Sequence, residues 1–313
     1  MKSKIDGVVP VMLTPFGENG DIDYSSLDKL TEWYLSNGAA ALFAVCQSSE
    51  MQKLTLRERV ALSRFVVEKT DRRVPVIASG HISSNIEDQL QELSAVAETG
   101  VDAVILVTNR LDEKSAGYAA FKHNLMLILE NLPSDMPLGL YECPAPFRRL
   151  LSDDEIKLCR DTGRFIVLKD VSCDLETIKR RVKLVEGTDF NIINANAAIA
   201  SDAMRAGSRG FAGVFTNFHP DLYAWLYKNR HSSEPLMAEI STFLVLSACA
   251  EPMGYPGIAK LFHKRLGTIA TAYSRVIDYD LHERHWAIEN ILDHIIQGSA
   301  GLRGKIGIPK LSK

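Results

Sequence analysis

The residue in this chain best suited to covalent chemistry is Lys169. It ends the run Phe-Ile-Val-Leu-Lys (165–169), in which four apolar residues lead directly to an ammonium group. A lysine in that setting either reaches out to water or stays desolvated. Desolvation disfavours the charged form, and a neutral amine attacks carbonyl carbon to give a Schiff base. Asp170 follows at once, but successive side chains of a strand leave on opposite faces, so it need not neutralise the amine. Tyr141 lies near the end of an earlier apolar run, 137–143. A phenol next to the amine suits proton transfer during carbinolamine formation and collapse. The segment Gln47-Ser48-Ser49-Glu50 closes another run. Its two small hydroxyls and its turn amides suit a carboxylate, with Gln47 beside them. Thr14, Asn194 and Thr216 stand at further run ends and are candidate polar contacts. Taken singly, each has an ordinary structural reading: a snorkelling lysine, an amphipathic core tyrosine, a helix N-cap at Ser-Ser-Glu. Their joint placement at the ends of successive runs is what favours chemistry.

The elements that must position these residues follow from a repeating pattern. Apolar runs occur at 8–14, 40–46, 74–80, 102–108, 137–143, 165–170, 190–195 and 210–216. They are apolar on both alternating faces, as expected of parallel strands covered on both sides. Segments of helical period lie between them. One runs from Asp23 to a stop at Gly38, one opens on Thr55 with Glu58 three residues later as a capping box, and one runs from Ser84 to Gly100. Eight such units predict an α/β fold, a (β/α)8 barrel over 1–225, since that architecture typically takes about 250 residues. A doubly wound open sheet would carry a Gly-rich loop after its first strand, where this chain has Thr-Pro-Phe. Beyond residue 225 the strand signal stops, and 226–313 reads as a helical region packed on the barrel. Barrel chemistry sits at the C-terminal rim of the strands. That rule selects Thr14, Ser48, Ser49, Tyr141, Lys169, Asn194 and Thr216, with His81 also on the rim.

The bulk properties remove several alternatives. The chain has 313 residues, 46% of them hydrophobic, and a net charge of −3. No basic surplus points to nucleic acid or an anionic membrane. The five cysteines are scattered without a Cys-x-x-Cys pair, which argues against a disulfide framework or a structural zinc site and for a reducing cytoplasm. No apolar run approaches the ~18 residues a membrane span needs. His282 and His285 lack a third ligand and read as a solvated helical face.

The motifs taken together resemble the dihydrodipicolinate synthase / N-acetylneuraminate lyase family, the Schiff-base-forming aldolases built on a (β/α)8 barrel with a C-terminal helical extension. The resemblance rests on GVVPVMLTPF (7–16), YECP (141–144), FIVLKDVS (165–172), AGSRGFAGVFTN (206–217) and GYPGIAKLFHKRLG (254–267). It implies Lys169 as the Schiff-base lysine, Tyr141 as the proton shuttle, and Ser48 with neighbouring amides as the grip on an α-keto acid carboxylate, pyruvate being the simplest. It also implies catalysis without a metal or dissociable cofactor, and a homo-oligomer, dimer or tetramer. The chain departs from the family pattern in several places. The usual Gly-Thr-Thr-Gly-Glu loop reads Cys-Gln-Ser-Ser-Glu, with Gln47 where a threonine relays protons. Thr108 and Asn109 occupy the place of the synthases' tyrosine pair. Pro146 occupies that of the arginine gripping the second substrate, with Arg148 two residues on as a substitute. Ala197 and Ala198 stand where sialate lyases hold a polyol. The leading expectation is a Schiff-base lyase or aldolase. The synthase reaction itself, a keto-sugar-acid dehydratase and a non-catalytic keto-acid-binding member are the other readings.

Overall fold

The computed structural model describes residues 5–309. Eight strands form one sheet: β1 (Gly7–Val8), β2 (Leu42–Val45), β3 (Val76–Ala78), β4 (Ala103–Val107), β5 (Leu138–Tyr141), β6 (Phe165–Asp170), β7 (Asn191–Asn194) and β8 (Gly210–Phe211). Their order is β1-β8-β7-β6-β5-β4-β3-β2, every pairing is parallel, and a bridge between Val11 and Phe43 closes the ring. The fold is the expected (β/α)8 barrel.

The strands are shorter than the apolar runs that announced them. In the first run Pro10 has no N–H to donate, so regular pairing stops at Val8 and resumes only as the Val11 bridge. The last run divides. After Phe211 the chain tightens into a 3₁₀ turn over Val214–Asn217. Gly210 is needed where β8 meets β1: its φ is +141°, and a Cβ there would overlap the Gly7 carbonyl oxygen.

Helices cover the outside: α1 (Tyr24–Ser36), α2 (Leu56–Thr70), α3 (Ile86–Ala97), α4 (Thr108–Leu111), α5 (Tyr118–Asn131), α6 (Asp153–Asp161), α7 (Leu175–Leu184) and α8 (Ala200–Arg205). The Thr55–Glu58 capping box forms as read. For α3 the cap is Asn85, one residue past Ser84, because the Asn85 carboxamide accepts the Asp88 N–H at 2.8 Å. After Phe211 the described residues form no further strand. The chain continues as α9 (Pro220–Lys228), α10 (Pro235–Ala248), α11 (Gly257–Leu266), α12 (Leu281–Arg284) and α13 (Ile288–Ile306). Residue 225 lies inside α9, which packs on β1. No helix among the described residues is long and apolar enough to cross a membrane.

Apolar side chains fill the barrel interior. Val9, Phe43, Ile105, Val167 and Ile193 converge beneath Lys169 and leave a void of only about 10 Å³. The lysine therefore stands on an apolar floor, with water reachable only from the rim.

Candidate active site

Register places the two central residues together. Tyr141 of β5 and Lys169 of β6 are direct partners across the parallel ladder, so their side chains leave on the same face. The Lys169 ammonium lies 4.3 Å from the centre of the Tyr141 ring and 5.8 Å from that of Phe43. Lys169 is 7% exposed and forms no ion pair among the described residues. Burial pulls its pKa below that of an ordinary lysine. Nearby Cys46, Cys143 and Glu251 oppose that pull without reversing it.

The neighbours of Tyr141 and Lys169 face outward, as strand alternation requires. Arg181 of α7 donates to Glu142 at 2.7 and 2.9 Å and also pairs with Asp170. Glu142 accepts the Leu151 and Val171 amides at 2.7 and 3.1 Å. This buried cluster clamps β5, β6 and α7 directly behind the two inward side chains. It also accounts for Asp170, whose carboxylate is engaged with Arg181 rather than with Lys169.

The rim around the amine is built from the 47–50 turn and the chain after β5. Burial pushes the Tyr141 phenol well above the ordinary tyrosine range, with the Cys143 and Cys46 thiols adding to it. The Cys143 thiol lies close enough to the phenol to bear on its titration, and it donates to Gln47 Oε1 at 3.8 Å. The Ser48 hydroxyl, 3% exposed, lies close enough to the Tyr255 phenol to bear on its titration, and that phenol accepts from Asn217 Nδ2 at 2.8 Å. Gln47 thus meets the Cys143 thiol, and Ser48 lies beside Tyr255, on the rim around Lys169 and Tyr141.

The other sequence candidates serve the frame of the site. Ser49 Oγ folds back on its own turn, donating to the Cys46 carbonyl and accepting the Cys46 N–H, both at 2.7 Å. Thr14 donates to the Ser49 carbonyl at 2.8 Å. Asn194 caps the chain after β7, donating to the Asn196 carbonyl at 2.7 Å and accepting its N–H at 3.0 Å. Thr216 donates to the Gly213 carbonyl at 2.7 Å and accepts the Val11 N–H at 3.2 Å. Arg148 donates to the Val171 carbonyl at 2.8 and 3.1 Å and to that of Ser172 at 2.6 Å, so its fork is spent on the loop after β6. Thr108 and Asn109 bind the carbonyls of 143–149, with Asn109 alone reaching three of them. His81 is wholly buried between Gln89 and the Val107 N–H, and burial lowers its pKa to about 4. His282 pairs with Glu289, and no metal-holding cluster occurs among the described residues.

Sequence reasoning missed what the C-terminal helices contribute. Tyr255 comes from the break before α11, and its only sequence signal was an aromatic residue set between glycine and proline. Glu251 lies in the break before α11, where desolvation raises its carboxyl pKa and the Lys169 charge draws it back. Glu50 takes a left-handed backbone (φ 62°) and forms a buried ion pair with Lys260 of α11. Its other oxygen accepts Ser274 Oγ and the Arg275 and Val276 amides at 3.0, 2.6 and 3.1 Å. The turn that presents Ser48 is thereby fastened to the C-terminal helices.

A closed eight-stranded parallel barrel, with a buried lysine that has no ion pair among the described residues on its C-terminal rim and a phenol in register beside it, is the arrangement a lysine-dependent aldolase requires. Comparison with known proteins narrows this. The Dihydrodipicolinate synthetase family profile matches residues 4–242, and the chain belongs to that family. It is therefore a lyase of the Schiff-base-forming, class I aldolase type. The 4-hydroxy-tetrahydrodipicolinate synthase of Bacillus subtilis (strain 168) is 30% identical over 210 residues, 66% of this chain and 70% of that protein. A dihydrodipicolinate synthase of Bacillus anthracis shares the fold with a TM-score of 0.83 at 24% identity, over 93% of this chain and 98% of that one. The dihydrodipicolinate synthase of Acinetobacter baumannii, solved with pyruvate, gives 0.82 at 21% identity, over 93% and 99%.

Proposed function

We propose that this enzyme condenses Lys169 with an α-keto acid, pyruvate being the simplest, and uses the resulting iminium to make or break a carbon–carbon bond. The observation that carries the reading is the Lys169 amine: buried, without an ion pair among the described residues, and 4.3 Å from the Tyr141 ring. The neutral amine supplies the pair that forms the C–N bond, while the carbonyl π pair moves to oxygen. A proton passes from nitrogen to that oxygen to give the carbinolamine. A second proton, delivered by the Tyr141 phenol, lets the oxygen leave as water, and the iminium remains. It then accepts the electron pair of the bond that breaks, or releases a proton from the adjacent carbon to give the enamine that attacks an acceptor. Ser48 and the turn amides hold the keto-acid carboxylate, and Gln47 lies beside them. The imine itself supplies the electrophile, so no cofactor is required.

Incubation with pyruvate and borohydride, followed by intact mass, tests this. The wild-type protein gains the mass of reduced pyruvate and Lys169→Ala does not. A gain that survives in the variant overturns the assignment. A second reading, 4-hydroxy-tetrahydrodipicolinate synthase activity, is favoured by the Bacillus subtilis relative, and a coupled assay with pyruvate and aspartate semialdehyde separates it. The reading further holds that the enzyme works in the cytoplasm, where the free thiols Cys46 and Cys143 remain reduced, and that it forms a dimer or tetramer.

A further inference from the structure

Two free thiols, Cys46 and Cys143, lie close enough to Lys169 to bear on the titration of its amine. The proposed reaction gives neither of them a task. Cys143 is the more tightly held. Its N–H donates to the Tyr141 carbonyl at 2.8 Å, and its own carbonyl accepts Asn109 Nδ2 at 3.0 Å. The tight turn folds residue 143 back towards residue 141. The Cys143 side chain is fully buried, and its sulfur lies close enough to the Tyr141 phenol for the two groups to bear on each other's titration. The single S–H points the other way, to Gln47 Oε1 at 3.8 Å. A thiol has one weak donor and a weakly accepting sulfur. With its hydrogen on the amide oxygen, its lone pairs are left to receive the phenol. Burial keeps the thiol protonated, so this polarity is fixed before substrate arrives.

We propose that Cys143 is a positioning residue for proton transfer at Tyr141, its sulfur holding the phenol beside the Lys169 amine while Gln47 fixes the direction of the thiol. This rests on the Schiff-base reading above. When the phenol gives its proton to the departing oxygen, the phenolate left behind needs a donor. The S–H turns from Gln47 to the phenolate oxygen and turns back when the proton returns. No bond to sulfur forms or breaks, and the thiol keeps its proton throughout. A hydroxyl at the same place is a stronger donor and stabilises the phenolate further.

The test uses pre-steady-state trapping with pyruvate and borohydride in the wild type and in Cys143→Ala, Cys143→Ser and Gln47→Leu, with thermal melts to establish folding. Cys143→Ala slows imine formation about five- to tenfold, the usual worth of one hydrogen bond, without changing the pyruvate concentration that half-saturates. Cys143→Ser stays within about twofold of wild type, and Gln47→Leu falls between the two. The tyrosinate absorbance titration, taken as the difference from Tyr141→Phe, moves to lower pH in Cys143→Ser. Wild-type rates and titrations in Cys143→Ala and Cys143→Ser overturn the proposal. So does a Cys143→Ser variant as slow as Cys143→Ala with an unmoved titration, since the sulfur then only fills space. If Cys143→Ala does not fold, the serine titration decides alone. Absence of any Lys169 adduct in the wild type overturns the Schiff-base reading, and this inference with it. Normal trapping in every variant overturns this inference only.

Discussion

Lys260→Met tests whether the C-terminal helices position the catalytic turn. The change keeps a long apolar stem against Phe16, whose ring centre lies 4.3 Å from the ammonium, and removes the charge together with its N–H donors. Glu50 is left as a buried carboxylate, and the Tyr273 carbonyl loses a donor that stood at 2.8 Å. Removing one partner of a buried pair costs about 3–5 kcal/mol. Here the figure falls at the lower end, about 3 kcal/mol, because the other oxygen of Glu50 keeps Ser274 Oγ and two backbone amides. The loosened Glu50 is two residues from Ser48, so the carboxylate grip weakens as well. About 1.4 kcal/mol lost there raises the half-saturating pyruvate about tenfold. Urea unfolding and trapping at varied pyruvate measure the two effects. Glu50→Gln added to Lys260→Met removes the stranded charge and recovers at least about half of the stability, which a double-mutant cycle reads directly. A loss below about 1 kcal/mol in the single variant, or no recovery in the double, refutes the reasoning.

Two pH effects follow from buried bases. Burial holds the pKa of Lys169 below the ordinary lysine value of 10.5, so trapping with pyruvate accelerates with rising pH and levels off before that value is reached; a midpoint at or above 10.5 contradicts the desolvated amine. His81 and His263 are buried neutral, and burial lowers their pKa from 6.5 to about 4 and about 3. As the pH falls below 6.5 the unfolded chain takes up protons that the folded one refuses, so stability drops; His81 alone withdraws about 3 kcal/mol by about pH 4. A melting temperature that stays flat between about pH 7 and pH 4.5 rules this out.

Lys169 and Tyr141 were legible because both lie on strands, where one-dimensional rules govern direction. A two-residue side-chain period sends Lys169 inward and Asp170 outward to Arg181, and in-register pairing of neighbouring parallel strands sets Tyr141 beside Lys169. The same rules fail where a strand stops. At such an end a hydroxyl or carboxamide can face a ligand or satisfy a backbone group that has just lost its ladder partner, and both demands select the same residue types. Thr14, Ser49, Asn194 and Thr216 all bond to turns next to them in space. Among the residues of the 47–50 turn, Ser48 is the hydroxyl that reaches Tyr255. Arg148 illustrates the same ambiguity for a charge. Free carbonyls at 171 and 172 compete for its fork, and sequence carries no record of which acceptor lies nearer.

The partners that sequence could not reveal are those that the C-terminal region brings to the barrel. Lys260 meets Glu50 across 210 positions, and Tyr255 meets Asn217 across 38 after the strands have ended. Neither pair leaves a periodic trace, because each is one contact between a turn and a helix start. Both act on the same short turn. Glu50 takes a left-handed backbone that disfavours a glutamate, and a conformation of that kind persists when its surroundings over-determine it. The surroundings here are Lys260, Ser274 and the amides of Arg275 and Val276, all from the C-terminal helical region. The barrel alone therefore supplies Lys169 and Tyr141, while the 47–50 turn is held from the C-terminal region as well as by Thr14. On the proposed Schiff-base reading, changes in that outer region alter which keto acid is held without touching Lys169.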